Sequence, residues 1–235
     1  VYRVNHTMER KQYAVKLINI AQMRKDRGKG AVQKIEKEVR TLAKLNGDPH
    51  VVAYRGVDKN KGYMIIAMEL CKENLDTYSR RIKTTPPQFI RQYLLQLAKG
   101  LKYLHSKGIV HRDLKQDNIC FGPDGKLKLV DLGLATQFKG KGMKTAYKKT
   151  LYKPRGNIYY QAPECKDPDV SIDGKVDVWA LGLVVAELLC GWFVKDCPDF
   201  INNEPSQNDR MRRRIIAASR KKDKVLGKLV FNMLQ

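Results

Sequence analysis

The sequence predicts an α+β protein of two lobes: a small antiparallel sheet with one helix, then a larger, mainly helical lobe. Three observations carry this expectation. Up to residue 69, short apolar runs alternate with polar turns around one segment of helical spacing. The segment PPQFIRQYLLQLAKGLKYLHSKG then reads as one long amphipathic helix. Further on, VDVWALGLVVAELLCG is apolar nearly all round, as a helix packed on every side must be. With 235 residues and 43% hydrophobic content, the chain can bury two such cores. The expected division is 1–69 for the sheet lobe, 70–74 for a hinge and 75–235 for the helical lobe, all within a single domain.

The elements follow in order. QYAVKLI, bounded by polar residues, is a half-buried strand, and KDRGKG is a loop. AVQKIEKEVRTLAKLNG places Val32, Ile35, Val39, Leu42 and Leu45 on one helical face, with Gly47 as its stop. VVAYRGV and YMIIAMEL are strands joined by the turn DKNKG. Thr85, ahead of Pro86, is expected to start the long helix and Gly108 to end it. Its expected buried stripe is Phe89, Tyr93, Leu97, Leu101 and Leu104. NICF and KLKLV flank GPDG as a hairpin. The apolar helix near the end carries Asp177 and Glu187.

Composition narrows the function. Lys and Arg number 46 against 24 Asp and Glu, a formal charge of +22, which favours anionic partners. Residues 139–155 hold seven basic residues and no acid, and residues 210–224 form a second basic run. The second lacks the aromatic interleaving of single-strand binders; nucleic acid is not the expected partner, and both runs are candidate docks for acidic proteins. The five cysteines, Cys71, Cys120, Cys165, Cys190 and Cys197, are odd in number, widely spaced and without a C-x-x-C pair. That argues against a disulfide framework or zinc site and fits a reducing, intracellular compartment, cytoplasmic or nuclear. No apolar run is long enough to span a membrane, and the first residues do not read as a signal peptide.

The chemistry is concentrated in IVHRDLKQDNICF, where five charged residues lie between apolar ends. The hairpin brings Asn118 close to Asp131, so both can offer oxygens to one hard cation. Asp113, on the loop just before, can accept a proton from an incoming hydroxyl. Those are the parts of a phosphoryl-transfer site.

The motifs resemble those of the eukaryotic protein kinases, serine/threonine type. HRDLKQDN stands as the catalytic loop, YAVK as the strand motif ending in Lys16, and Asp131-Leu132-Gly133 as the Mg-binding motif. Ala162-Pro163-Glu164 and the trio Asp177, Trp179 and Gly182 complete the set, and the order holds from residue 1 to 235. The resemblance implies ATP and Mg²⁺ as cofactors and protein substrates with Ser or Thr acceptors. Lys16 would hold the α- and β-phosphates and pair with Glu38; Glu36 lies on the same helix but fits the family pattern less well. Asp113 would be the catalytic base, Lys115 would steady the γ-phosphate, and Asn118 and Asp131 would hold Mg²⁺. The adenine would follow Met68, bonding to the backbone of Glu69 and Cys71, with Val1, Ala14 and Cys120 sandwiching the ring.

The chain departs from the family at several points. The Gly-rich loop is missing, with Val1 matching the Val that closes it, and Glu164 lacks its usual Arg; truncation at both ends is the expectation. Leu132 replaces Phe and is expected to pack beside Leu42 and His111. Asn157 stands where a Thr usually bridges the catalytic Asp and Lys; Asn can hydrogen-bond too, but is longer. Thr145, Tyr147, Thr150 and Tyr152 are candidate phosphosites in the basic segment, Thr150 foremost, and a phosphate there would meet Arg112. The alternative function is a pseudokinase, a binding module of the same shape, which phosphate transfer would discriminate.

Overall fold

A computed structural model gives the fold and describes residues 1–27, 32, 36, 39, 45, 47–132, 135–137, 157–166, 172–191 and 205–235. The first lobe is a four-stranded antiparallel sheet in the order β1-β2-β4-β3, with β1 Tyr2–His6, β2 Lys11–Asn19, β3 Tyr54–Asn60 and β4 Tyr63–Glu69. Ala14, Met64 and Ile66 of the two central strands are buried. β3 and β4 join through Lys61 (φ 45°) and Gly62 (φ 80°), with Asn60 paired to Tyr63. Two successive left-handed residues make the turn that follows natural strand twist. The DKNKG turn therefore shrinks to its last two residues.

Beside this sheet the sequence predicts one helix, and the structure adds a second. Helix α1, Ile20–Arg27, follows β2 directly. Asn19 starts it, its Oδ1 accepting the Gln22 N–H at 3.0 Å. Met23 is buried, but the segment has no apolar stripe, so periodicity gives no signal for it. The predicted loop KDRGKG is helical through Arg27, and the rest of it lies outside the described residues. Val32, Glu36 and Val39 are helical, and Val32, Val39 and Leu45 are buried as the predicted stripe requires. Ile35 and Leu42 lie outside the described residues.

Helix α2, Leu75–Ile82, starts at Asn74, whose Oδ1 accepts the Thr77 N–H at 2.7 Å. Helix α3, Pro87–Ser106, begins with Pro86 as its cap. Thr85 does not cap it: its hydroxyl is buried without a hydrogen-bond partner. Pro87 has no N–H to be capped and its ring already fixes a helical φ. The buried face of α3 is Ile90, Leu97, Gly100, Leu101 and Leu104. Phe89, predicted in that stripe, is 43% exposed, because it sits about 100° round the helix from Ile90. Tyr93 is half-buried, its ring edge-on to Tyr78 and Phe121 at 6.3 and 5.7 Å. Gly100 lets α3 approach the chain before β3: a Cβ there would lie 2.9 Å from the His50 carbonyl oxygen.

After α3, the strand β5, Ile109–Val110, pairs with β8, Thr136–Gln137, and between them β6, Ile119–Phe121, pairs with β7, Leu127–Leu129, as the predicted hairpin. Helix α4, Lys175–Cys190, is buried over most of its length and ends at the left-handed Gly191 (φ 72°). Helices α5, Pro205–Lys222, and α6, Lys224–Met233, pack on it. Among the described residues, no helix is long and apolar enough to cross a membrane.

Candidate active site

The loop after β5 is fixed from beneath by one buried carboxylate. Asp177, in the first turn of α4, accepts the His111 N–H at 2.9 Å on Oδ2 and the Arg112 N–H at 2.9 Å on Oδ1. His105 Nε2 lies 2.8 Å from the same Oδ2. Arg112 is held at φ 67°, a conformation that costs a non-glycine residue about 1 kcal/mol or more. The pair of bonds to Asp177 offsets that strain. Buried His111 adds a contact to the Val130 carbonyl at 3.1 Å.

The loop presents Asp113. Its Oδ1 accepts the Asn157 N–H at 3.0 Å and its Oδ2 the Asn118 Nδ2–H at 2.9 Å. Lys115 Nζ stands 4.0 Å from Oδ2. Asn118 Nδ2 also donates to the Asp113 carbonyl at 2.7 Å, which fixes the amide and leaves its Oδ1 as the oxygen for a cation. The Asn157 side chain does not make the bridge that Thr makes in the family. Its backbone N–H meets Asp113, while its Oδ1 turns back to accept the Tyr159 N–H at 3.1 Å. The short amide caps its own downstream turn instead of reaching a lysine.

The β6–β7 hairpin carries the second carboxylate. Ile119 pairs with Leu129 and Val130 N–H bonds to the Asn118 carbonyl at 3.0 Å, so Asp131 emerges beside Asn118. Asp131 is at φ 54° and half-exposed, and its Oδ1 receives Lys16 Nζ from β2 at 2.7 Å. Glu36 is 2.8 Å from Lys59 Nζ, so it serves another lysine. Glu38, the predicted partner of Lys16, lies outside the described residues, as does Gly133. Leu132 is buried, and its N–H donates to the buried Tyr54 hydroxyl, which burial pushes far above its ordinary pKa.

Between the lobes lies a cleft of about 840 Å³ lined by Val1, Ala14, Lys16, Met68, Glu69, Cys71, Asp113, Asn118, Cys120 and Asp131. The structure thus brings together the predicted residues, Glu38 aside, with Lys115 close behind Asp113 rather than on the cleft wall. Glu69 turns its side chain away: Oε1 accepts the Ala53 N–H at 2.6 Å and meets Lys128 Nζ at 3.1 Å. Its own N–H goes to the Ala53 carbonyl at 2.9 Å, so its carbonyl is the backbone group it keeps for a ligand. The Cys71 and Cys120 thiols share a hydrogen bond, which, with burial, pushes the Cys71 thiol well up. Among the described residues, no three His, Cys, Asp or Glu side chains gather as a metal cage. Asn118 Oδ1 and the Asp131 carboxylate are hard oxygen donors of the kind that could hold an ion such as Mg²⁺, which completes its shell with phosphate and water oxygens.

Sequence reasoning gave no role to Asp177, His105, Gln116 or Glu187, and these support the loop. Gln116 Nε2 donates to Glu187 Oε2 at 2.8 Å, and Tyr160 hydroxyl donates to Glu187 Oε1 at 2.8 Å. The signal was present: two carboxylates on an all-round apolar helix must be buried, and buried charges need partners.

A sequence model of the protein kinase domain matches residues 1–227. The chain belongs to the protein kinase family. This kinase domain is 32% identical over 190 residues to cyclin-dependent kinase D-1 of Arabidopsis thaliana, covering 80% of the chain and 45% of that protein. It is 34% identical over 177 residues to mitogen-activated protein kinase kinase kinase 1a of Physcomitrium patens, covering 75% and 22%. It is 34% identical over 193 residues to serine/threonine-protein kinase pakH of Dictyostelium discoideum, covering 81% and 35%. The domain thus spans less than half the length of each relative.

Proposed function

We propose that this kinase domain transfers the γ-phosphoryl group of MgATP to Ser or Thr hydroxyls of protein substrates. The convergence of Asp113, Asn118, Asp131 and Lys16 at one end of the inter-lobe cleft carries the reading. Mg²⁺, when bound, supplies charge neutralisation of the phosphate oxygens. Asn118 Oδ1 and the Asp131 carboxylate would hold it, and Lys16 would leave Asp131 for the phosphates. Asp113, held on both carboxylate oxygens by Asn157 and Asn118, would orient the acceptor hydroxyl and take its proton. Lys115 would balance charge on the transferred group. Met68, the carbonyl of Glu69, the backbone of Cys71, and Val1, Ala14 and Cys120 would take the base. Positioning and electrostatics account for most of such a rate enhancement, so this small set is sufficient.

Acidic segments of partners would dock on the basic run at 210–224, which lies on α5 and the start of α6. Arg212 and Arg213 there pair with Asp209, so part of its charge is already balanced. The basic segment 139–155 and its candidate phosphosites lie outside the described residues. An intracellular setting, cytoplasmic or nuclear, accords with cysteines that are odd in number and widely spaced and with ATP as co-substrate.

The test is transfer of labelled phosphate from ATP with Mg²⁺ to protein substrates, with nucleotide binding measured in parallel. Asp113→Asn should lower transfer by about 100-fold or more while nucleotide still binds. Asp131→Ala should abolish the Mg²⁺-dependent transfer. Nucleotide binding without transfer in the parent chain would establish the pseudokinase reading instead.

A further inference from the structure

At the hinge, a lysine of the helical lobe reaches a carboxylate of the sheet lobe. Lys128 stands opposite Cys120 in the β6–β7 hairpin, between the buried Leu127 and Leu129. It is itself only 7% exposed, which a lysine seldom is unless paired. Its Nζ meets Glu69 Oε1 at 3.1 Å, and the same oxygen accepts the Ala53 N–H at 2.6 Å. Glu69 N–H returns to the Ala53 carbonyl at 2.9 Å. Alongside, Val52 N–H donates to the Leu129 carbonyl at 2.9 Å and Leu129 N–H to the His50 carbonyl at 2.8 Å. The last residue of β4 is thus tied to the chain before β3 and to β7 at once. Gly122 makes room for the lysine: a Cβ there would overlap Lys128 Cε and lie 2.9 Å from its Cδ. The nearby Asp124 pairs with Lys126 at 3.3 Å.

We infer that Lys128 is a positioning residue for the nucleotide base: it fixes the hinge carbonyl of Glu69, which selects adenine over guanine. The inference rests on the nucleotide-binding reading above. Glu69 stands between two spaces, the inter-lobe cleft and an outer hollow of about 400 Å³ lined by Glu9, Lys11, Tyr13 and Arg55. Its carboxylate has two places to go: inward onto Lys128 and Ala53, or outward toward Lys11 and Arg55. Lys128 decides between them, because a mostly buried carboxylate needs a cation close by. Held inward, Glu69 is pinned by its N–H and by its side chain, so its carbonyl keeps one direction. The exocyclic amine of adenine can donate to that carbonyl. Guanine sets a carbonyl oxygen there instead, and two acceptors face each other unpaired. Without Lys128 the carboxylate swings outward, the Ala53 N–H loses its acceptor, and the hinge carbonyl is free to turn. The reward for adenine and the penalty for guanine then shrink together.

The experiment compares the parent chain with Lys128→Met, which keeps the apolar stem, and with Gly122→Ala, which keeps the lysine and displaces its end. Gly122 is not in the left-handed region, so the added methyl brings no backbone strain. Binding of ATP and of GTP is titrated for each, and exchange of the Ala53 amide hydrogen is followed by NMR. In Lys128→Met the preference for ATP over GTP should fall by about tenfold, equivalent to ~1.4 kcal/mol. KM for ATP should rise by about tenfold while kcat stays within about threefold. The Ala53 amide should exchange about tenfold faster. Gly122→Ala should move the preference and the exchange in the same direction by smaller factors. A change that merely loosened the fold would weaken ATP and GTP binding alike, and an unchanged preference in Lys128→Met would overturn the selection of the base. An unchanged Ala53 exchange would overturn the hold on Glu69. A parent chain that binds neither nucleotide would overturn the nucleotide reading and the base selection with it, while the exchange measurement still decides whether Lys128 holds Glu69.

Discussion

The two lobes hold their charges in opposite ways. In the helical lobe, Asp177 and Glu187 are almost fully buried and held by short contacts, from His111, Arg112 and His105 to the first and from Gln116 and Tyr160 to the second. In the sheet lobe, Lys16 reaches across to Asp131 with about a third or more of each side chain exposed, and the Lys59 end of the Lys59–Glu36 pair is 46% exposed. Buried networks lock geometry because each missing partner leaves a desolvated group. Exposed pairs contribute little to stability and exchange partners readily. The difference suits the proposed chemistry: the base must stay where it is, and the lysine must be able to leave Asp131 for a phosphate.

The sharpest way to break this contrast is Asp177→Ala. It strands the His111 and Arg112 amides beneath the loop and releases the φ strain at Arg112. A loss of about 3–5 kcal/mol in urea unfolding is expected, with phosphate transfer lost alongside. A loss below 1 kcal/mol would mean the loop holds its shape without Asp177. Lys16→Met is the matching change in the sheet lobe. Stability should move by less than about 1 kcal/mol, since the pair is half-exposed, while transfer falls by about 100-fold. Equal losses of stability from the two substitutions would erase the distinction.

Alkaline titration sharpens the same comparison. Burial pushes the hydroxyls of Tyr54 and Tyr160 above their ordinary value, and the Glu187 carboxylate adds to it at Tyr160. A raised folded-state pKa means that the unfolded chain loses its proton first as pH rises. The stability from these hydroxyls is complete below about pH 10 and falls above it. Urea midpoints measured from pH 8 to pH 11 should drop in the upper part of that range. Tyr160→Phe should flatten the drop while costing about 1 kcal/mol at neutral pH for the lost bond to Glu187.

Legibility followed the same division. The catalytic set was readable because HRDLKQDN, YAVK and the Asp131 motif are local strings of unusual composition, and the hairpin at GPDG announces its own closure. The supports were less readable, since Asp177 reaches His111 and Arg112 across more than sixty residues, a pairing that no local pattern encodes. At Asn157 the sequence showed a departure from Thr but not its outcome: the amide turns to its own backbone two residues on, and only its N–H reaches Asp113. Helix α1 left no trace in periodicity because one cap and one buried methionine, not a stripe, define it.

The smallest effect tests the one face the pattern placed wrongly. Phe89 and Ile90 are adjacent on α3, yet Ile90 is fully buried and Phe89 is 43% exposed, its ring stacked loosely on Tyr93 at 6.5 Å. Apolar periodicity alone admits either residue, since the helix offers both within a wide stripe and aromatic size favours Phe. Packing chooses Ile90, because the chain before β3 comes close enough at Gly100 to fix how α3 is rotated. Phe89→Ser should therefore change unfolding free energy by no more than about 0.5 kcal/mol, whereas Ile90→Ala should cost about 2–5 kcal/mol. A large loss from Phe89→Ser would mean that α3 is turned toward the face read from its sequence, and the seat of His50 against Gly100 would have to move with it.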